Sequence, residues 1–182
     1  MEEIRLNKKD AASQQLETTC LLFLGECDPV SIHTLANAAH DILMNLGKPK
    51  NITSILKEDV VKQLKLPDEK SFRKNNLNKA RDFFKHADTD AEEVLNFEPP
   101  MNELLLHSAI RLYERLFEEK GYWMGAFDFY LILAEPGFYM GEDQVKKIES
   151  IWIKGKISKK VCLITRLGER GYKSFEEAVK FE

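Results

Sequence analysis

The segment 78–88 gathers ionisable and polar side chains around two adjacent phenylalanines. Its candidate functional residues are Asn78, Arg81, Asp82, Lys85, His86 and Asp88. A helix that needs only solubility does not require arginine, aspartate and histidine together. The planar guanidinium of Arg81 is suited to binding two oxygens of one phosphate, and histidine is the side chain that most readily exchanges a proton at neutral pH. A structural role is the alternative, because Lys85 and His86 at a helix C-terminus would complement the helix dipole.

A second set of polar residues lies on the helix that we predict for residues 29–46. His33, Asn37 and His40 fall within about 60° of one another around this helix, beside a stripe of apolar residues. Side chains in that position must be hydrogen-bonded inside the fold, solvated or directed into a site. Two interpretations stay open, namely structural histidines with satisfied hydrogen bonds and binding residues in the wall of a pocket. The two histidines are too far apart along the helix to hold one metal ion.

Other signatures of chemistry are missing from the sequence. It contains no glycine-rich phosphate loop, no Cys-x-x-Cys pair and no Gly-x-Ser-x-Gly turn. Cys20 and Cys27 would lie about 10 Å apart along a helix, too far to share an ion, and we expect them to be buried thiols. Three cysteines do not make a disulfide framework. We expect no metal and no cofactor.

The run from Arg81 to His86, Arg-Asp-Phe-Phe-Lys-His, resembles the Arg-x4–6-His motif of HEPN domains. This resemblance implies a small all-α fold and metal-independent ribonuclease activity, with two copies of the motif meeting at a dimer interface. It also implies that Arg81 holds the phosphate, that His86 is the general acid and base, and that Asp82 orients one of them. On a continuous helix Arg81 and His86 would point about 140° apart, so the helix must end near Lys85 for them to converge.

A second resemblance rests on two short stretches, residues 32–36 and 83–88. Together they are similar to a group of uncharacterised bacterial helical proteins. No activity follows from that similarity.

Length and composition indicate one soluble domain. The chain has 182 residues, of which 43% are hydrophobic and 31% are charged, and this is enough for an ordinary core without disulfides. No apolar run approaches the roughly 18 residues of a membrane span, and the charged N-terminus lacks a signal-peptide core. We therefore expect a cytoplasmic protein with no membrane partner.

The charges are unevenly distributed along the chain. Residues 146–173 contain nine Lys or Arg and two Glu, and residues 70–85 contain six Lys or Arg and one Asp. Residues 88–103 contain six acidic residues and no basic one. If the two basic segments converge, they would attract a polyanion although the net charge is −3. Most such runs are merely solvated faces, which is the alternative.

Hydrophobic periodicity of the helical type covers almost the whole chain. We predict helices at 9–25, 29–46, 54–64, 67–85, 91–95, 101–120, 123–134, 142–151 and 174–181, with a loop or helix end at 152–157. Asp28 and Pro29 give the strongest start signal, a capping residue followed by proline. The predicted fold is all-α, a single helical bundle of about six to eight helices. It forms one domain over 1–182, with a core at 9–134 and a basic segment at 141–182 packed on it.

Two functions from different classes follow from these features. The first is an HEPN-like protein that acts on RNA, either as an endonuclease or as an inactive RNA-binding relative, and that forms a homodimer. The second is a non-catalytic interaction or small-ligand-binding protein with a pocket lined by histidine, asparagine and arginine. The position of Arg81 and His86 discriminates between them, since an open basic groove favours RNA and an enclosed pair favours a pocket.

Overall fold

The computed structural model describes residues 3–54, 78–86 and 91–134. These ranges contain five α-helices and one 3-10 turn and no β-strand, so the all-α prediction is confirmed for them. The helices are α1 (Lys8–Leu24), α2 (Pro29–Gly47), α3 (Lys79–Phe83), α4 (Met101–Phe117) and α5 (Tyr122–Ala134), and the 3-10 turn Lys48–Lys50 follows α2. None of the helices in these ranges is long and apolar enough to cross a membrane.

Several predictions fall outside the described residues. They are the helices at 54–64, 142–151 and 174–181, the loop at 152–157, most of the helix at 67–85, and the basic segment at 141–182.

Helix α2 begins where the sequence predicts and α1 begins one residue earlier than predicted, and side chains cap both N-termini. The side chain of Asn7 accepts from the backbone N–H of Asp10, whose carboxylate accepts from the N–H of Asn7, each at 3.0 Å. Asp28 accepts from the N–H of Ser31 at 2.7 Å, and Pro29 occupies the first helical position. Both arrangements satisfy backbone donors that a helix start leaves free.

The predicted helix at 91–95 is wrong. Residues 91–92 form a turn, and 93–98 have no regular structure. Of the three apolar residues of this segment, Val94 is 84% exposed, Ala91 is exposed and only Leu95 is partly buried. A helix of one turn then lacks the tertiary packing that would offset the cost of helix nucleation.

The long fourth helix also ends earlier than predicted. Its last residue is Phe117 rather than Lys120, because Glu118 adopts a left-handed backbone conformation with φ of 55°. The carboxylate of the next residue, Glu119, then accepts from the hydroxyl of Tyr113 at 2.5 Å and pairs with Lys9 at 2.9 Å. These contacts fix the turn into α5 against α1.

The core lies among α1, α2, α4 and α5. Helix α2 packs against both α1 and α4, and α5 packs mainly on α1. The central side chains are fully or almost fully buried; they include Leu16, Cys20, Leu24, Leu43, Ile110, Tyr113, Met124 and Phe127. Cys27 lies beyond the end of α1 and is only partly buried. The two thiols therefore do not share one helix.

A carboxylate from α1 caps the N-terminus of α5. Glu17 accepts hydrogen bonds from the backbone N–H groups of Trp123 and Met124, at 3.1 and 3.0 Å. This is possible because Gly121 has no side chain. A Cβ at that position would overlap the Glu17 carboxylate.

We expect Gly121→Ala to lower the free energy of unfolding by about 1–3 kcal/mol, because Glu17 would have to leave two buried donors. Gly125→Ala, in the first turn of α5, is the matched control. A Cβ there meets only Lys120 Cδ, at 3.9 Å, so this change should raise stability by about 0.5–1 kcal/mol. Urea unfolding of both variants tests this, and equal effects would contradict the assigned cap.

Candidate functional site

The predicted motif lies on α3 and in the turn that follows it. The helix ends at Phe83, where the N–H of Phe84 bonds to the carbonyl of Ala80 at 3.0 Å. The N–H groups of Lys85 and His86 then both bond to the carbonyl of Asp82, at 3.1 and 3.0 Å. The two basic side chains are exposed. His86 therefore lies outside α3, three residues after its last residue.

Arg81 is held by two carboxylates. Its Nε donates to Asp82 Oδ1 at 2.8 Å, and its Nη1 lies 3.6 Å from Asp41 Oδ2 on α2. The hydrogen bond to Asp82 is the main reason that the pKa of Arg81 is raised, and the charge of Asp41 adds to the effect although partial burial opposes it. The guanidinium stays charged and fixed near the surface of α2.

Aromatic rings attach this segment to the rest of the fold. Phe84 contacts the ring of His33 on α2, with centroids 5.6 Å apart, and Phe97 before α4 contacts both, at 5.1 Å from His33 and 5.2 Å from Phe84. Phe83 lies edge-on to Phe84 at 5.9 Å. Edge-to-face packing of this kind adds to the burial energy of each ring. These contacts hold the motif against α2 at His33.

The polar stripe of α2 lies inside the protein. His33, Asn37 and His40 are exposed by only 0%, 3% and 4%. His33 Nδ1 pairs with Asn102 Oδ1 on α4 at 2.8 Å, and Asn102 Nδ2 donates to the carbonyl of Pro29 at 2.9 Å.

The other members of the stripe are bonded as well. Asn37 Nδ2 donates to the carbonyl of His33 at 3.1 Å. His40 Nε2 lies 3.1 Å from the hydroxyl of Ser54, which pairs with Ser108 of α4. Buried polar groups require such partners. The stripe therefore connects α2 to α4.

The structure brings some of the predicted site residues together and separates others. His33 reaches the motif through Phe84, whereas His40 bonds at a different point of the α2–α4 contact. Asn78 precedes α3 and makes no capping hydrogen bond with its side chain. Asp88 lies outside the described residues. In the described ranges, no group of three or more His, Cys, Asp or Glu is arranged to hold a metal ion.

Sequence reasoning did not select Asp41 and Asn102, although each contacts a predicted residue. Asp41 directly follows His40, so the neighbourhood of the stripe was an available signal. Asn102 carried none, because its partner His33 is 69 positions away.

A second charged cluster lies where α4 meets α5. Arg111 pairs with Glu114 at 2.7 Å, as the ionic spacing on α4 suggests, and also with Asp128 of α5. Lys120 pairs with both acids. His107 lies beside them on α4 and is 8% exposed. Its pKa is lowered to about 4, first by burial and then by the positive charge of Arg111.

One described cleft opens near the start of α2. Its volume is about 210 Å³, and its lining includes Phe23, Cys27, Pro29, Ile32, Pro99 and Asn102. Burial and the adjacent Asp28 raise the pKa of the Cys27 thiol, so this cysteine is a weak nucleophile at neutral pH.

Comparison of the chain with protein-family models, with curated proteins and with solved structures gave no match.

The buried imidazole of His107 makes stability depend on pH. The unfolded histidine titrates near 6.5 and the folded one near 4, so between these values only the unfolded chain binds the proton. We expect the free energy of unfolding to fall by up to about 3 kcal/mol as pH drops through this window. Urea unfolding of wild type and His107→Gln at several pH values measures this difference. His86→Ala, which changes an exposed histidine, should keep the wild-type profile; an unchanged slope in His107→Gln would contradict the assignment.

Proposed function

We propose that the protein is an HEPN-like protein that acts on RNA, with Arg81 and His86 as its reactive pair. One observation carries the proposal. Helix α3 ends at Phe83, so His86 lies exposed in the turn after it while Arg81 is fixed by Asp82 at 2.8 Å.

The proposed reaction is transesterification within the RNA strand. His86 removes the proton of a 2′-hydroxyl and the 2′-oxygen forms a bond to the adjacent phosphorus. The bond from phosphorus to the 5′-oxygen breaks, and the His86 imidazolium returns the proton to the 5′-oxygen, which leaves as a hydroxyl. The product carries a 2′,3′-cyclic phosphate or the 3′-phosphate that follows from its hydrolysis. Arg81 stabilises the negative charge that builds on the phosphate oxygens, for which its planar fork is suited. No step in this chemistry requires a metal.

The remaining predicted residues have supporting roles in this proposal. His33, Asn37 and His40 fix the surface of α2 on which the motif rests, since all three are buried and hydrogen-bonded. Lys85, Asn78 and Asp88 would border the RNA backbone, together with the basic residues of 146–173. The corresponding architecture is a single cytoplasmic domain over 1–182, a bundle of six to eight helices with the basic segment packed on it.

The cleft beside Asn102 favours a second candidate, a non-catalytic protein that binds a small ligand. It is lined mainly by apolar side chains, and the Asn102 amide at its edge is tied to His33. Its volume of about 210 Å³ lies below the roughly 300–1,000 Å³ of most ligand sites. The RNA proposal therefore has the better support.

We expect purified protein to cleave single-stranded RNA in the presence of EDTA, with a rate that peaks where histidine titrates. His86→Ala should lower the rate by about 10²–10⁴-fold, because the proton-transfer step loses its acid and base. Arg81→Ala should have an effect of similar size, and Arg81→Lys should restore little. The products, separated on gels and tested for a cyclic phosphate, report the reaction class.

Lys8→Ala is the control for general loss of positive charge, because Lys8 is exposed at the start of α1. It should retain the wild-type rate. Equal cleavage by wild type and His86→Ala would contradict the mechanism, and absence of both cleavage and RNA binding would favour the ligand-binding candidate.

Because the chain has one Arg-x4–6-His motif, a composite site of two motifs requires a homodimer. The proposed interface consists of the helix at 123–133 and the segment 138–140, which has the sequence Phe-Tyr-Met. Trp123, Phe129 and Tyr130 on α5 are only partly buried, and aromatic residues are enriched in protein interfaces. Light scattering during gel filtration should give twice the monomer mass of 21.1 kDa. A monomer at the concentration of the cleavage assay would exclude the composite site.

A further inference from the structure

The cationic side chains of α3 are paired with carboxylates from other parts of the chain. Lys79 Nζ lies 2.9 Å from Glu93 Oε1, in the irregular stretch 91–98. Arg81 Nη1 lies 3.6 Å from Asp41 Oδ2, on α2. The motif helix thus meets negative charge from two elements at once.

Glu93 lies in a stretch that is attached to the rest of the fold by an aromatic ring. Phe97, four residues later in the same stretch, packs edge-on against both His33 and Phe84. This aromatic contact holds the acidic stretch alongside α3. The stretch belongs to residues 88–103, which contain six acidic residues and no basic one.

Carboxylate and phosphate oxygens use the same donors on lysine and arginine. We propose that Asp41 and Glu93 are intramolecular competitors that occupy Arg81 and Lys79 until an RNA phosphate displaces them. This inference rests on the proposed function, because it takes RNA as the polyanion. It adds an autoinhibitory contact to the same site, and it assigns Lys79 as a further phosphate-binding residue.

The exposure of the two pairs suits a reversible competitor. The side chains of Lys79 and Glu93 are 50% and 41% exposed, and those of Arg81 and Asp41 are 26% and 45% exposed. Ion pairs this open to water are weak. RNA that binds through several phosphates can displace these ion pairs. Each ion pair should reduce the affinity of the protein for RNA by roughly two- to five-fold.

The test measures binding of a fluorescent 2′-O-methyl oligouridylate, which has no free 2′-hydroxyl and is not cleaved. Anisotropy titrations at low salt compare wild type with Asp41→Asn and Glu93→Gln. Glu92→Gln is the matched control, because Glu92 is exposed beside Glu93 and forms no ion pair within the described residues. We expect Asp41→Asn and Glu93→Gln to bind two- to five-fold more tightly than Glu92→Gln.

A double-mutant cycle with Lys79→Ala identifies the contact itself. Glu93→Gln should strengthen binding in the wild-type background and have no effect in the Lys79→Ala background. Thermal melts establish that each variant is folded at the assay temperature.

The outcomes separate this inference from the proposed function. Equal tightening by Glu92→Gln and Glu93→Gln, or binding by wild type with no gain in either variant, would overturn the competition and leave the RNA proposal standing. Binding that appears only in the Asp41→Asn, Glu93→Gln double variant would support both. Absence of binding in every variant would overturn both.

Discussion

The hydrogen bonds between α2 and α4 are the constraint on which the rest of the described structure depends. His33 and His40 are almost completely buried, and an imidazole in that environment must find partners or destabilise the fold. Asn102 provides one partner, and Ser54, paired with Ser108, provides the other. Because these bonds are directional, they fix how far α4 slides along α2, which apolar packing alone would specify less sharply.

The position of α3, the motif helix, depends on the contact between α2 and α4. Helix α3 has five residues and buries only Ala80, so it has little intrinsic stability. Phe84 packs on the His33 ring, and Asp41 of α2 pairs with Arg81. A shift of α2 against α4 would therefore move the surface that orients the guanidinium. The structural role of the buried histidines and the proposed chemistry of Arg81 and His86 are in this sense parts of one arrangement.

The other side of the core is organised by charge rather than by neutral hydrogen bonds. Glu17 caps α5, and Arg111 and Lys120 converge on Asp128. The Asp128 side chain is only 13% exposed. Removing Arg111 or Lys120 would leave its negative charge poorly solvated, and this costs more stability than the ion pair contributes. His107 stays neutral beside this network because of burial and the nearby positive charge. The protonation of His107 therefore links the stability of this part of the fold to pH.

For the described residues, the sequence by itself determined the all-α class, both ends of α1 and α2, and the start of α5 to within one residue, because capping residues and the apolar period are local signals. It also indicated that His33, Asn37 and His40 share one line of α2. It could not show that Asn102 and Ser54 would satisfy the two histidines, or that Asp41 and Glu93 would face α3, because these partners lie far apart in the chain. The local pattern also failed at 91–95 and at the end of α4, where the exposure of Val94 and the left-handed conformation of Glu118 decided the outcome. Only the tertiary structure decides these partners and these helix ends, because the number of residues between two side chains does not tell how far apart they lie in space.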